Sequence, residues 1–200
     1  MIQHQRTIGR LLAVTTLAVV AACGGDAADT GMADTLGAPT MGAGADTQGA
    51  PGAMGDDAII GMMSGANAGE IAAGQIAAEK ARNADVRQFA TTMVQYHQRM
   101  QGQVDSLVSA AGVSAGAGPD SLTRHLEDVR ARLEGQAAGA EFDRMYMQSQ
   151  VADHENTLNA LRAAQPAAQN AGLRTLIDAA IPAVEGHLER ARTIVANLGG

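Results

Sequence analysis

Between residues 85 and 111 a row of positions recurs at alternating intervals of four and three: Val86, Ala90, Met93, His97, Met100, Val104, Leu107 and Ala111. All but His97 are apolar, and an unbroken heptad row predicts a long helix packed into a left-handed bundle. Residues 171–198 repeat it in Leu173, Ile177, Ala180, Val184, His187, Ala191, Ile194 and Leu198. Two further helices are predicted. One covers 58–82, with Ile59, Met63, Ala66, Glu70, Ala73, Ala77 and Ala81 on a face; the other covers 139–165, with Asp143, Met147, Gln150, His154, Leu158 and Leu161. Asp56 and Asp57 offer an N-cap to the first helix and Asn170 to the last. Asn83-Ala84 and Pro166 mark tight turns. Gly61, Gly65, Gly69 and Gly74 are expected to weaken the first helix, and Pro182 to kink the last. The breaker-rich stretch 112–120 leads, through a cap at Asp120 or Ser121, into a short amphipathic helix ending near Glu134, so 112–137 reads as a crossover connection. The prediction is an all-α, up-down-up-down four-helix bundle over residues 58–198, with helices ~40 Å long.

Composition supports an all-helical chain. Aromatic residues are 2 % of the 200, too few for an all-β or α/β core of this size. A net charge of −7 and a pI near 5.1 argue against binding nucleic acid. A single cysteine excludes an internal disulfide and a CxxC zinc site.

That cysteine stands where it carries an address. Arg6 and Arg10 precede an apolar run from Leu11 to Val20, which suits a signal peptide and falls short of the ~20 residues of a membrane span. The run ends in Val20-Ala21-Ala22-Cys23, which resembles a bacterial lipobox. Residues 1–22 are therefore expected to be a lipoprotein signal peptide, and Cys23 the lipidated first residue of the mature chain, holding it to a membrane. Gly24, rather than Asp, after the cysteine resembles the outer-membrane sorting pattern, which places the protein at the outer membrane facing the periplasm. Residues 23–57 are predicted to be a disordered tether. From Gly24 onward it holds nine Gly, eight Ala and six Asp but no Lys, Arg or aromatic residue, too little apolar surface to offset chain entropy.

Three rows contain a histidine and the fourth contains Glu70. A buried imidazole or carboxyl group is expensive unless it is paired or coordinated. With both tight turns at one end of the bundle, Glu70 and His97 fall within ~2 Å of one level. His187 comes near that level, His154 lies one to two turns closer to the turns, and Asp143 and Tyr146 lie toward the opposite end. Imidazole and carboxylate suit Zn, Cu or Fe, so Glu70, His97, His187 and His154 are candidate ligands of one metal ion, supported by Asp143 and Tyr146. The alternative is a polar network among the same groups that sets helix register. A di-iron site is disfavoured. It wants Glu-x-x-His on two helices, and Val94, Val151 and Val184 occupy the positions three before the histidines. Met93 and Met100 flank His97 and read as core filling, with copper ligation as the alternative. His125, Asp153 and Glu155 read as solvated.

Four runs in order carry a family resemblance: Glu70-Ile71 with Gly74-Gln75-Ile76-Ala77; Phe89 to His97 (FATTMVQYH); Phe142 to Tyr146 (FDRMY) with His154; and His187 to Ala191 (HLERA). Together they resemble the bacterial family called domain of unknown function 4142. That resemblance implies an exported helical bundle of the ferritin-like superfamily and implies no reaction. Tyr96 departs from it, since the family more often has Asp before the histidine. No nucleophile elbow or phosphate-binding glycine loop is present in the sequence. The expectation is an envelope lipoprotein, stress-related in role, whose His/Glu core binds a transition metal. A purely structural or interaction module and a metal-dependent redox enzyme are the alternatives.

Overall fold

The computed structural model describes residues 54–199, so the leader, Cys23 and most of the predicted tether lie outside the described residues. Five helices follow in order: α1 Asp56–Lys80, α2 Ala84–Ala111, α3 Asp120–Gly135, α4 Ala140–Ala164 and α5 Ala171–Leu198. The periodicity placed each within a few residues. α1 begins at Asp56, inside the stretch assigned to the tether. None of these helices is long and apolar enough to cross a membrane.

The α1–α2 and α4–α5 hairpins form the bundle, and α3 lies over α1 and α4. Bonds at the helix ends set the directions. Asp143, in the first turn of α4, accepts from the backbone N–H groups of Arg82 and Asn83 at 3.0 and 2.7 Å. The α1–α2 turn and the start of α4 therefore share one end. Asp56 accepts from the N–H groups of Gln169 and Asn170, each at 2.8 Å, which puts the α4–α5 turn beside the start of α1, at the other end. The expected up-down-up-down order is thus corrected to up-down-down-up. The cause is the connection. Gly116 N–H donates to the Asp57 carbonyl at 2.9 Å, at the start of α1. Lys80, at the end of α1, donates to the carbonyls of Leu133 and Glu134 at 2.8 Å, at the end of α3. Sixteen residues of α3, climbing ~24 Å parallel to α1, carry the chain back along the bundle before α4 starts.

Asn83 and Asn170 cap α2 and α5, the Oδ1 of each accepting from two backbone N–H groups. Asp56 does not cap its own helix. Gly55 holds that position without a side-chain bond, and Pro119 takes the N-cap of α3 in place of Asp120 or Ser121. The α1 glycines serve contact instead of breaking the helix. A Cβ on Gly61 would collide with the Gly116 carbonyl, and one on Gly69 with the Leu126 side chain. α5 continues through Pro182, which is exposed.

The apolar interior falls into two clusters. One gathers Ile59, Ile60, Met63, Val104, Leu173 and Ile177. The other gathers Val86, Phe89, Met93, Phe142, Tyr146 and Ile194 toward the opposite end. Between them along the helices lie buried Asn67, Glu70, His97, Gln150 and His154.

Candidate metal centre

α2, α4 and α5 each send one imidazole into this polar layer. His97 and His154 are buried and His187 is half-buried. Ring centroids lie 5.5–6.3 Å apart, and one ligand nitrogen from each ring falls within 4.8 Å of the others. Nitrogens of a tetrahedral zinc site stand roughly 3.4 Å apart, given metal–nitrogen bonds of about 2.0–2.1 Å. A rotamer adjustment of about 1 Å would close the trio on one ion.

The hydrogen bonds settle which nitrogens are bare. His154 Nδ1 lies 2.9 Å from the Gln150 carbonyl; a carbonyl only accepts, so Nδ1 carries the proton and Nε2 the lone pair. His97 Nδ1 lies 2.9 Å from Asn67 Oδ1. Asn67 uses its Nδ2 to donate to Gln101 Oε1 at 3.2 Å, so its Oδ1 faces the imidazole as acceptor and His97 Nε2 is again bare. Metal-ligating histidines commonly have the far nitrogen anchored in this way. The inward atoms His97 Nε2, His154 Nε2 and His187 Nδ1 are buried without a hydrogen-bond partner, an arrangement costing about 1–3 kcal/mol per group if nothing binds them. Burial pushes His97 down to about 3, with His154 and His187 adding to the fall. Burial, then His154, pushes His187 down to about 4. Burial also lowers His154, against the opposing effects of the Gln150 carbonyl and Asp153. The three stay neutral at pH 7, the form that binds metal.

Glu70 stands outside this group of three. Its Oε2 accepts from Gln150 Nε2 at 2.9 Å, and its Oε1 lies 3.7 Å from His154 Nδ1, on the anchored side of that ring. Burial pushes its carboxyl up to about 8, against the Gln150 hydrogen bond and with a contribution from Asp153. Tyr146 is fully buried, its hydroxyl unpartnered and its ring edge-on to Phe89 at 6.4 Å. Its hydroxyl is raised well above the usual range by burial first, then by Glu70 and Asp153. The support role expected of Asp143 is corrected: its carboxylate is spent on the Arg82–Asn83 turn at the bundle end. Met93 and Met100 are buried in the two apolar clusters.

Three features escaped sequence reasoning. Asn67, not Ala66, occupies the inward position of α1, and its spacing of four from Met63 was the available signal. Gln150 was visible in the α4 row, but its tie to Glu70 was not. Asp153, expected at the surface, is buried and lies 2.5 Å from His125 Nε2 across the α3–α4 contact. Nothing along either helix announces that pair, since it depends on how α3 crosses α4. A cavity of about 300 Å³ between α1, α3 and α4 reaches Glu70, Asp153 and His125.

The fold and this inward histidine set are those of a helical-bundle domain in which three close imidazoles could hold a metal ion. The chain matches the family described as Domain of unknown function (DUF4142) over residues 41–194, and it belongs to that family. No curated protein and no solved structure matches it.

Proposed function

We propose that this chain is an exported lipoprotein that holds one first-row transition-metal ion, Zn, Cu or Fe, through His97, His154 and His187. The observation that carries this reading is the set of three unpartnered, inward-facing nitrogens, two of them on rings whose opposite nitrogen is fixed by a carbonyl oxygen. A network serving only helix register would pair its own members, and here each inward nitrogen lacks a partner. Nitrogen donors of this type suit Zn and Cu, and Fe where oxygen ligands join them. Glu70 stands behind His154, on the anchored side of that ring, and its carboxyl, pushed up to about 8 by burial, is mostly neutral at pH 7. Membrane attachment through Cys23 at the outer membrane rests on the lipobox-like run.

The test is metal uptake by chelated, purified full-length protein. One equivalent should bind, with a thermal shift of several degrees, and His97→Ala, His154→Ala and His187→Ala should each abolish it. Full uptake by all three variants would end the proposal. For the anchor, Cys23→Ser should move the protein from the detergent phase to the aqueous phase; unchanged partitioning would remove that part of the reading.

A further inference from the structure

The three imidazoles leave a four-coordinate ion one ligand short. Glu70 sits behind His154, on its Nδ1 side. No other histidine, cysteine, aspartate or glutamate joins the group among the described residues. Three neutral ligands also leave a divalent ion with its full charge in a buried layer, where uncompensated charge is costly. A fourth ligand that is itself an anion relieves both deficits.

The structure also provides an approach. A cleft of about 210 Å³ lies between α2 and α5, lined by Gln88, Phe89, Thr92, Met93, His187 and Arg190. Its lining includes His187, the only half-buried member of the trio. A small molecule entering there meets an imidazole of the proposed centre. At the rim stands the exposed Arg190, whose guanidinium lies 3.2 Å from Asp85 Oδ1. Exposed ion pairs of this kind are weak and exchange readily, so Arg190 can attract an anion to the mouth. Tyr96 covers the neighbouring side, its ring edge-on to His187 at 4.7 Å and to His97 at 5.2 Å. We propose that the ion held by His97, His154 and His187 keeps an exchangeable fourth position, and that small monovalent anions reach it through the α2–α5 cleft past Thr92 and Arg190. This rests on the metal reading above.

The experiment uses full-length protein, chelated and reloaded with one equivalent of Cu(II), the divalent ion such sites hold most tightly. Sodium azide is titrated in, and the azide-to-copper charge-transfer absorption is followed. The expected result is a saturable band at one azide per copper. Arg190→Gln should weaken azide binding by about fivefold to tenfold. Thr92→Phe, which fills the cleft, should remove the band or slow its appearance. Copper stoichiometry should stay at one in both variants. A wild type that holds one copper but gives no azide band overturns the open position and leaves the metal reading standing. A band unmoved in both variants overturns the cleft as the route. Failure of the wild type to take up copper overturns both proposals.

Discussion

Asp56 and Asp143 do the same work at opposite ends of the bundle. Each begins a hairpin, and each carboxylate accepts from two successive backbone N–H groups in the turn of the other hairpin: Asp143 from Arg82 and Asn83, Asp56 from Gln169 and Asn170. The correspondence extends further. Asn83 and Asn170 cap the helices that leave these turns, and Arg87 and Arg174 donate to the last carbonyls before them. One sequence separation relates all three pairs, so the hairpins are pseudo-equivalent and clasp each other reciprocally.

Because Asp143 is buried, Asp143→Ala should strand two backbone donors and lower stability by about 3 kcal/mol, or roughly 10 °C in Tm. Asp56 is half-buried, and its alanine variant should lose about half as much, since water can replace the carboxylate. Denaturant unfolding of the two variants checks the order. Metal stoichiometry in the folded Asp143→Ala protein should be unchanged, because that residue is remote from the histidines.

Asn67 fixes the His97 ring through one hydrogen bond. Asn67→Ala should leave one metal per chain but weaken its affinity by about 10–100-fold, as loss of a ligand's anchor does in other metal sites. Competition against a chelator of known affinity measures this directly. Unaltered affinity would mean that packing alone holds the ring.

Metal-free protein should be most stable near pH 7. Each histidine has a folded-state value below its unfolded 6.5, about 3 for His97 and about 4 for His187. Their contribution is present above about pH 6.5 and is lost as pH falls toward 4, because the unfolded chain takes up the protons. Glu70 acts in the opposite sense. Its folded value of about 8 exceeds the unfolded 4.5, so its contribution is present below 4.5 and is lost as pH rises through 8. Urea midpoints of chelated protein from pH 4 to 9 should trace this maximum, and Glu70→Gln should flatten the decline above pH 7 and steepen the rise between about pH 4.5 and 6.5, where Glu70 opposes the histidines.

Two glycine substitutions should have opposite effects. Gly61→Ala places a methyl group against the Gly116 backbone, which cannot swing aside as a side chain would, and should destabilise by about 1–3 kcal/mol. Gly102 lies exposed within α2 with open space around it. There Ala should stabilise by about 0.5–1 kcal/mol through helix propensity and reduced unfolded-state entropy. Thermal melts of the two proteins suffice.

Local chemistry in the chain was enough to specify the helices and their inward faces. The rows through His97 and His187 could bury their apolar members only as helices, and Asn83, Asn170 and Pro166 placed the turns. The meeting of three imidazoles was legible too, for a geometric reason. These residues lie near the middle of their helices, so turning one hairpin end for end hardly changes their heights. That is why an incorrect helix order still brought them to one level, while Asp143, near a helix end, was assigned to the wrong place. Helix order, the Asp56–Asp143 exchange, the Asn67 anchor, the Asp153–His125 pair and the cleft beside His187 were decided only in three dimensions. Each depends on which helix lies against which, and a 3.6-residue period encodes a side chain's face but not the neighbour it will meet there.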